Sequence, residues 1–385
     1  MSRAYRILLS GYYGAGNIGD ESILTVVVEN LRARLSGVEI TVLSQSPEAT
    51  AAKHAVRSVN RRSPAVIGEV RRCDLLISGG GSLLQDVTSR RSILYYLAVM
   101  WLAFFFRKEV FIYSQGIGPI VSKRNRRLTA WTLRRAAGIV VRDEASAELL
   151  SEIGVNREKV IVTADPVLRI RKAELAAGRA ILEGEGFDVN GPGPAVGFAV
   201  RERRTTGDFA DELCLSIRRL RDEAGARVLL IPFHHAEDLP VIEELERRLA
   251  GEVLALKRKY LTDEMLSIIG NMDLLVGVRL HALIYAAVMG VPMIAVSYDP
   301  KIHSFMHSLG MKAMSAVEDF KSEYFMEEFE KTFRDSDAVR RNIGERLALL
   351  IEKLDTNEEM IGALMARKRG GAAPPPGGHP CTTDL

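Results

Sequence analysis

The residues best suited to chemistry sit in one short stretch, 273–287 (DLLVGVRLHALIYAA). An apolar run ends at Gly277 and an apolar helical pattern starts near Leu280, so Arg279 and His281 fall on a strand-to-helix turn. Such turns lie at the carboxyl edge of a parallel sheet, where α/β folds hold their ligands. A guanidinium that keeps its charge, beside an imidazole that titrates near neutrality, suits an anionic substrate that also needs a proton moved. The pair equally fits a capping arginine and a hydrogen-bonded core histidine.

Four further loops follow apolar strand-like runs. Residues 11–22 (GYYGAGNIGDES) match GxGxxG through Gly14, Gly16 and Gly19. A dinucleotide would want an acidic residue at the end of the next strand, but that strand ends in Ser44, Gln45 and Ser46. Asp20 and Glu21 would also repel a pyrophosphate while suiting a helix N-terminus. The loop therefore reads as a helix cap in which Asp20 satisfies helix amides, or as a sugar site using Asn17 and the backbone. Residues 78–86 (SGGGSLLQD) leave amides open and offer Ser82, Gln85 and Asp86 to hydroxyls. Residues 114–119 (SQGIGP) bring Gln115, and 141–144 (VRDE) bring Arg142. Later come Arg201, then His234 and His235, whose adjacency puts them on no common helix face and argues against metal ligation. Lys301 opens a helix after Asp299 and Pro300; a helix dipole disfavours lysine there, so it reads either as an anion ligand or as a plain exposed lysine.

The elements that must position these loops alternate. Strand patterns at 6–13, 39–45, 74–80, 109–115, 138–142 and 160–164 are separated by helical patterns at 20–36, 92–106, 123–137 and 144–153. A second series has strands at 195–201, 227–233, 252–256, 274–278 and 292–298, helices at 208–223, 238–250 and 262–270, and a charged helical region at 315–354. This predicts an α/β protein with two doubly wound Rossmann-like domains facing across a cleft. The expected division is 1–165, a linker at 166–194 with a helical pattern at 173–184 and a Gly- and Pro-dense run at 184–194, a second domain at 195–366, and a disordered tail at 370–385.

With 385 residues, 47% of them hydrophobic and 26% charged, the chain can bury a sizeable core. A net charge of +3 without a basic block interleaved with aromatics argues against nucleic acid as a partner. Cys73, Cys214 and Cys381 are far apart and odd in number, which excludes a disulfide framework and suits a reducing compartment. No signal peptide pattern precedes the first strand, so the expected location is cytoplasmic. The apolar run from Ile93 to Phe106 is too short to span a bilayer, which takes about 20 residues. Flanked by Arg90, Arg91, Arg107 and Lys108, it is either a buried helix or one lying in the inner face of a membrane.

Taken together, GYYGAGNIGDES, SGGGSLLQD, SQGIGP, VRDEAS, TADP, GVRLHALIYA and SYDPK resemble the polysaccharide pyruvyl transferase family, and most closely its CsaB branch. The resemblance runs from Ile7 to about His307. It implies a GT-B-like fold and transfer of pyruvate from phosphoenolpyruvate to a sugar as a ketal. For that branch the acceptor is N-acetylmannosamine of a lipid-linked secondary cell-wall polymer precursor, used in surface-layer anchoring. The family's donor-binding and catalytic positions fall on Arg142, Arg279, Leu280, His281 and Lys301. The types suit the chemistry, since a phosphate and a carboxylate need several cations and protonation of the enol methylene needs an acid, here His281. No metal and no cofactor beyond the donor is expected. By analogy with GT-B enzymes, the acceptor is expected at Asn17, Asp20, Ser82, Gln85 and Gln115. Competing readings are a nucleotide-sugar glycosyltransferase of the same fold, for which no ribose-holding acid is evident beside 277–286, and a non-catalytic sugar-binding protein.

Overall fold

The computed structural model describes residues 3–87, 89, 91–201 and 207–370. Most of the expected tail, 371–385, and Arg90 lie outside the described residues. The first half runs β1 (Tyr5–Tyr13), α1 (Ile18–Arg34), β2 (Val38–Ser44), α2 (Pro47–His54), β3 (Arg57–Asn60), α3 (Ala65–Arg72), β4 (Leu75–Gly79), α4 (Ser92–Phe105), β5 (Glu109–Gln115), α5 (Lys123–Leu133), β6 (Gly138–Val141), α6 (Glu144–Glu152) and β7 (Val160–Val162). After α7 (Leu175–Gly184) come β8 (Ala195–Ala199), α8 (Asp208–Ala224), β9 (Arg227–Leu230), α9 (His235–Arg248), β10 (Leu254–Ala255), α10 (Thr262–Gly270), β11 (Leu274–Gly277), α11 (Leu280–Met289), β12 (Met293–Ser297), α12 (Pro300–Ser308), β13 (Ser315–Ala316), α13 (Ser322–Arg334), α14 (Ser336–Lys353) and α15 (Asp355–Lys368).

Among the described residues these strands form two parallel sheets, ordered β3-β2-β1-β4-β5-β6-β7 and β10-β9-β8-β11-β12-β13. Both are doubly wound. Their strand order reverses between β1 and β4, which pair through Ser10 and Ser78, and between β8 and β11, which pair through Ala199 and Gly277. Ligands in such sheets bind outside the carboxyl ends of the strands at that reversal. The central strands β4, β8, β11 and β12 are buried along their whole length, as parallel strands covered by helices on both faces must be. The GT-B-like architecture of two α/β domains is the one expected.

The differences lie where apolar pattern is weak. Strand β3, with the sequence RSVN, is half exposed at a sheet edge, and β13 is two residues inside a stretch expected to be helical. Helices α2 and α3 were also unexpected. α2 carries its own signal, Pro at the first turn with Glu48 beside it. Within the stretch 166–194, the helical pattern expected at 173–184 is helix α7. Helix α7 lies so close to α10 that a Cβ on Gly178 would stand 2.3 Å from the Ser267 carbonyl carbon, and Ser267 Oγ accepts from Gly178 N at 2.6 Å. Helix α15, inside the stretch assigned to the second domain, returns to the first sheet. Its Asn357 donates to Ser114 Oγ at 2.8 Å, and buried Glu358 accepts from the Tyr113 hydroxyl.

One apolar cluster runs through both domains, joining α1 residues such as Ile23 and Val27 to Leu266 of α10 and Leu283 of α11. Within it the Ser22 and Tyr285 hydroxyls share a hydrogen bond across the domain boundary. This seam closes one side of the interdomain cleft and sets how the two reversal points face each other.

Candidate functional site

A cavity of about 380 Å³ lies between the two reversal points. The first domain lines it with Asn17, Asp20, Gly81, Ser82, Gln85 and Arg142; the second contributes Arg201, Arg279, Leu280, His281, Tyr298 and Lys301. Every donor position expected from the sequence is therefore in one hollow, together with all the expected acceptor residues but one. Gln115 is fully buried beneath the loops, its Oε1 accepting from Ser78 Oγ at 3.3 Å, and does not line the cavity. Asp86 is likewise no ligand of the cavity. It accepts from Val121 N at 2.7 Å, Ser122 N at 3.0 Å and Asn125 Nδ2 at 2.9 Å, bracing the loop before α5.

Three helix N-termini converge here. Asn17 caps α1, accepting from Gly19 N at 3.0 Å, so Asn17 and not Asp20 satisfies the helix amides. Glu21 reaches back to Gly14 N at 2.8 Å, tying the glycine loop to its own helix. Asp299 caps α12 through Lys301 N at 3.1 Å. Helix α11 begins after Arg279 with no side-chain cap and no acidic residue in its first turn. Helix N-termini carry partial positive charge, and one without an acidic cap favours an external anion.

Arg142, Arg279 and Lys301 are each braced by an acid. Buried Arg142 donates to Asp143 at 3.2 Å, Asp165 at 3.1 Å and Ser82 Oγ at 3.0 Å. Burial works against its charge, but Asp165 and Asp143 outweigh it and hold its pKa above the ordinary value. Arg279 pairs with fully buried Asp238, and its Nε is buried without a hydrogen-bond partner among the described residues. Lys301 Nζ is 3.1 Å from Asp299. Arg201 bonds the Tyr298 hydroxyl and lies over the Tyr298 ring at 4.9 Å. A guanidinium presents five donors, so acid behind it fixes its fork without using all of them.

His281 packs directly on the first domain, where a Cβ on Gly19 would stand 2.1 Å from its Nδ1. Its Nε2 is 3.9 Å from Asp165 and lacks a hydrogen-bond partner among the described residues. Burial lowers its pKa to about 4, against the pull of Asp165, with Arg142, Lys301 and Arg279 lowering it further. Asp20 moves the other way. Burial, then Glu21 and Asp165, raise its pKa to about 7. One pocket thus holds a neutral imidazole and a carboxyl poised between its two forms at neutral pH.

Asp20 carries a testable consequence for stability. Its folded pKa exceeds its unfolded value, so the folded state binds the extra proton and stability falls as pH rises from about 4 to about 7. Asp20→Asn is expected to remove that loss, worth at most about 4 kcal/mol above pH 7. Melting curves at acid, neutral and mildly alkaline pH check it, and curves for variant and parent that stay parallel would refute it.

His234 and His235 lie elsewhere. His234 caps α9, and His235 Nε2 bonds the Lys257 carbonyl at 2.7 Å. Among the described residues no group of His, Cys, Asp and Glu is placed to hold a metal ion. Sequence reasoning passed over Asp165 and Asp238 as braces. Asp165 carried a signal, since an Asp before Pro166 is a helix-cap pattern, and it does accept from Val167 N at 3.1 Å. Asp238, inside a charged helix, carried none.

The fold is shared with solved structures of low sequence identity. The UDP-GlcNAc 2-epimerase of Neisseria meningitidis bound to UDP-GlcNAc superposes with a TM-score of 0.59 at 14% identity, over 91% of this chain and 100% of that one. S. aureus MnaA with UDP gives 0.65 at 11%, over 97% and 99%. Anabaena HepE with UDP-glucose gives 0.62 at 12%, over 95% and 99%. In sequence the chain is 22% identical over 374 residues to the amylovoran biosynthesis protein AmsJ of Erwinia amylovora, covering 81% of this chain and 88% of that protein. The model of the polysaccharide pyruvyl transferase family matches residues 17–300, a span from the Asn17 cap to the first residue of α12 that takes in most of the cavity. By that match the chain belongs to the polysaccharide pyruvyl transferase family.

Proposed function

We propose that the protein transfers pyruvate from phosphoenolpyruvate to two hydroxyls of one sugar, forming a ketal and releasing phosphate. The observation that carries this is the convergence of Arg142, Arg279 and Lys301 with His281 on one cavity of small volume. A three-carbon donor bearing phosphate and carboxylate matches such a cluster, with the open N-terminus of α11 at Leu280 supplying backbone N–H groups.

Bound donor brings negative charge beside His281, which raises its pKa towards neutrality. The imidazolium then protonates the methylene carbon, and positive character develops at C2. A sugar hydroxyl attacks C2 and passes its proton to Asp20. The C2–O bond to phosphate breaks, and a second hydroxyl closes the ring. Of the two hydroxyl protons, one balances the new methyl group and the other leaves with phosphate. Asn17, Ser82 and Gln85, beside Asp20, form the acceptor side of the cavity. Along the CsaB-like reading the acceptor is N-acetylmannosamine of a lipid-linked cell-wall polymer precursor.

The shared fold with UDP-binding proteins favours one rival, a nucleotide-sugar donor. Incubation with phosphoenolpyruvate or UDP-sugars and a lipid-linked disaccharide acceptor separates the two. Acceptor-dependent phosphate release, with a product heavier by one pyruvyl ketal, is expected. Release of UDP instead would overturn the proposal.

A further inference from the structure

Charge along this chain is segregated. Residues 57–135 carry fifteen Lys and Arg against four Asp and Glu, a net +11, whereas the whole chain is +3. The rest is therefore net acidic. Of the four acids, Glu69, Asp74 and Asp86 are buried, whereas Arg91, Arg107, Arg124, Arg127, Arg134 and Arg135 are exposed.

The structure places these arginines around an apolar face. Helices α3, α4 and α5 cover the side of the first sheet away from the seam with the second domain, packing through Val70, Leu97, Met100 and Leu133. Helix α4 has no charged residue. Its outer stripe runs Leu94, Ala98, Trp101, Leu102 and Phe105, and Phe105 is 78% exposed. On α5, Trp131 is 47% exposed and meets Trp101 edge to face at 5.9 Å. Arg124, Arg127, Arg134 and Arg135 share the Trp131 side of that helix, with the Arg135 guanidinium 3.8 Å over the Trp131 ring. Arg91 and Arg107 bracket α4 at its two ends, both exposed.

We infer that the outer face of α4 and α5 docks the protein on an anionic phospholipid bilayer. Helix α4, 14 residues long, reaches roughly 21 Å at 1.5 Å per residue. A hydrocarbon core of about 30 Å is beyond it. Among the described residues no helix is long and apolar enough to cross a membrane. An uncharged helix edged with arginines, carrying exposed Phe105 and flanked by exposed Trp131 of α5, instead matches the interfacial zone, where aromatic rings sit at headgroup level and guanidinium groups meet lipid phosphates. Each such cation adds to attraction for an anionic surface, so binding should depend on both lipid charge and salt. Exposed Val87, ahead of α4, lines the cavity, and exposed Val121, just ahead of α5, lines a groove beside it with Arg126 and Lys301. The inference rests on charge and exposure and not on the identity of the donor.

The test is sedimentation of the purified full chain with vesicles of phosphatidylcholine alone or mixed equally with phosphatidylglycerol. Binding to the mixed vesicles only, weakened by added salt, is expected. Phe105→Ser with Trp131→Ser, and separately Arg124→Glu with Arg127→Glu, should each weaken partitioning about tenfold or more. Melting temperature and phosphate release from a soluble acceptor fragment should stay unchanged, which separates failure here from failure of the pyruvyl-transfer reading. No binding to mixed vesicles, equal binding to neutral ones, or both pairs of substitutions leaving binding intact would overturn the inference. So would displacement of the vesicles by a single-stranded oligonucleotide.

Discussion

His281→Ala is expected to lower acceptor-dependent phosphate release by roughly 10²–10⁴-fold, the usual worth of a positioned acid or base. The fold should hold. Among the described residues the imidazole forms no hydrogen bond through Nε2, and burial already keeps it neutral, so its loss leaves no charge stranded. A cavity is left against Gly19, with a modest drop in melting temperature. Binding of phosphoenolpyruvate should weaken far less than turnover, because the cations remain. The pH profile discriminates further. In the free protein His281 titrates near 4, and the donor should draw that value upward, so donor binding at neutral pH should take up a proton. Calorimetry in buffers of different ionisation enthalpy measures that uptake. Near-native turnover in His281→Ala, or proton uptake that persists in it, would remove the residue from this role.

Arg142→Met is expected to damage both stability and donor binding. The guanidinium is buried between Asp165 and Asp143, and its removal leaves Asp165, itself buried, without its cation. Breaking a buried pair from one side typically costs about 3–5 kcal/mol, more than the pair adds when intact. Arg142→Met with Asp165→Asn should recover much of that stability without recovering donor affinity. Arg142→Lys should not substitute, since an ammonium cannot span Asp143, Asp165 and Ser82 as the fork does. Urea unfolding and the KM for phosphoenolpyruvate, read side by side, check the two effects. A destabilised double variant would sink the ion-pair account, and an unchanged KM would leave Arg142 a scaffold residue only.

The braced cations explain how a cavity with four positive side chains folds without its ligand. Arg142, Arg279 and Lys301 each have a carboxylate behind them, so their charge is compensated before any anion arrives. What remains open is donors rather than net charge: the Arg279 Nε and the uncapped start of α11. Such a site needs little reorganisation when a ligand enters.

Much of this was legible in residue types and order. Alternating apolar strands and helices fixed the two doubly wound sheets, and loops after successive parallel strands had to gather at one edge. Arg279 and His281 stood out as polar residues in an apolar stretch, Arg142 as a cation at the end of a strand, and Lys301 as a lysine at a helix start that the dipole disfavours. Contacts between residues far apart in the chain were decided only in three dimensions. Asp165 bridges Arg142 and His281 from the two domains, and Asp238 meets Arg279 across 41 positions. Gln115 was expected in the cavity on the same grounds as the others but is buried beneath it, because the side a strand end presents depends on the loops stacked over it. Helix α15 crosses back to the first sheet, and α4 buries one face while leaving Phe105 in solvent, for a related reason. Periodicity reports which faces of an element are apolar; whether an apolar face meets a sheet, a helix or nothing is set by packing, and packing is a property of the whole chain.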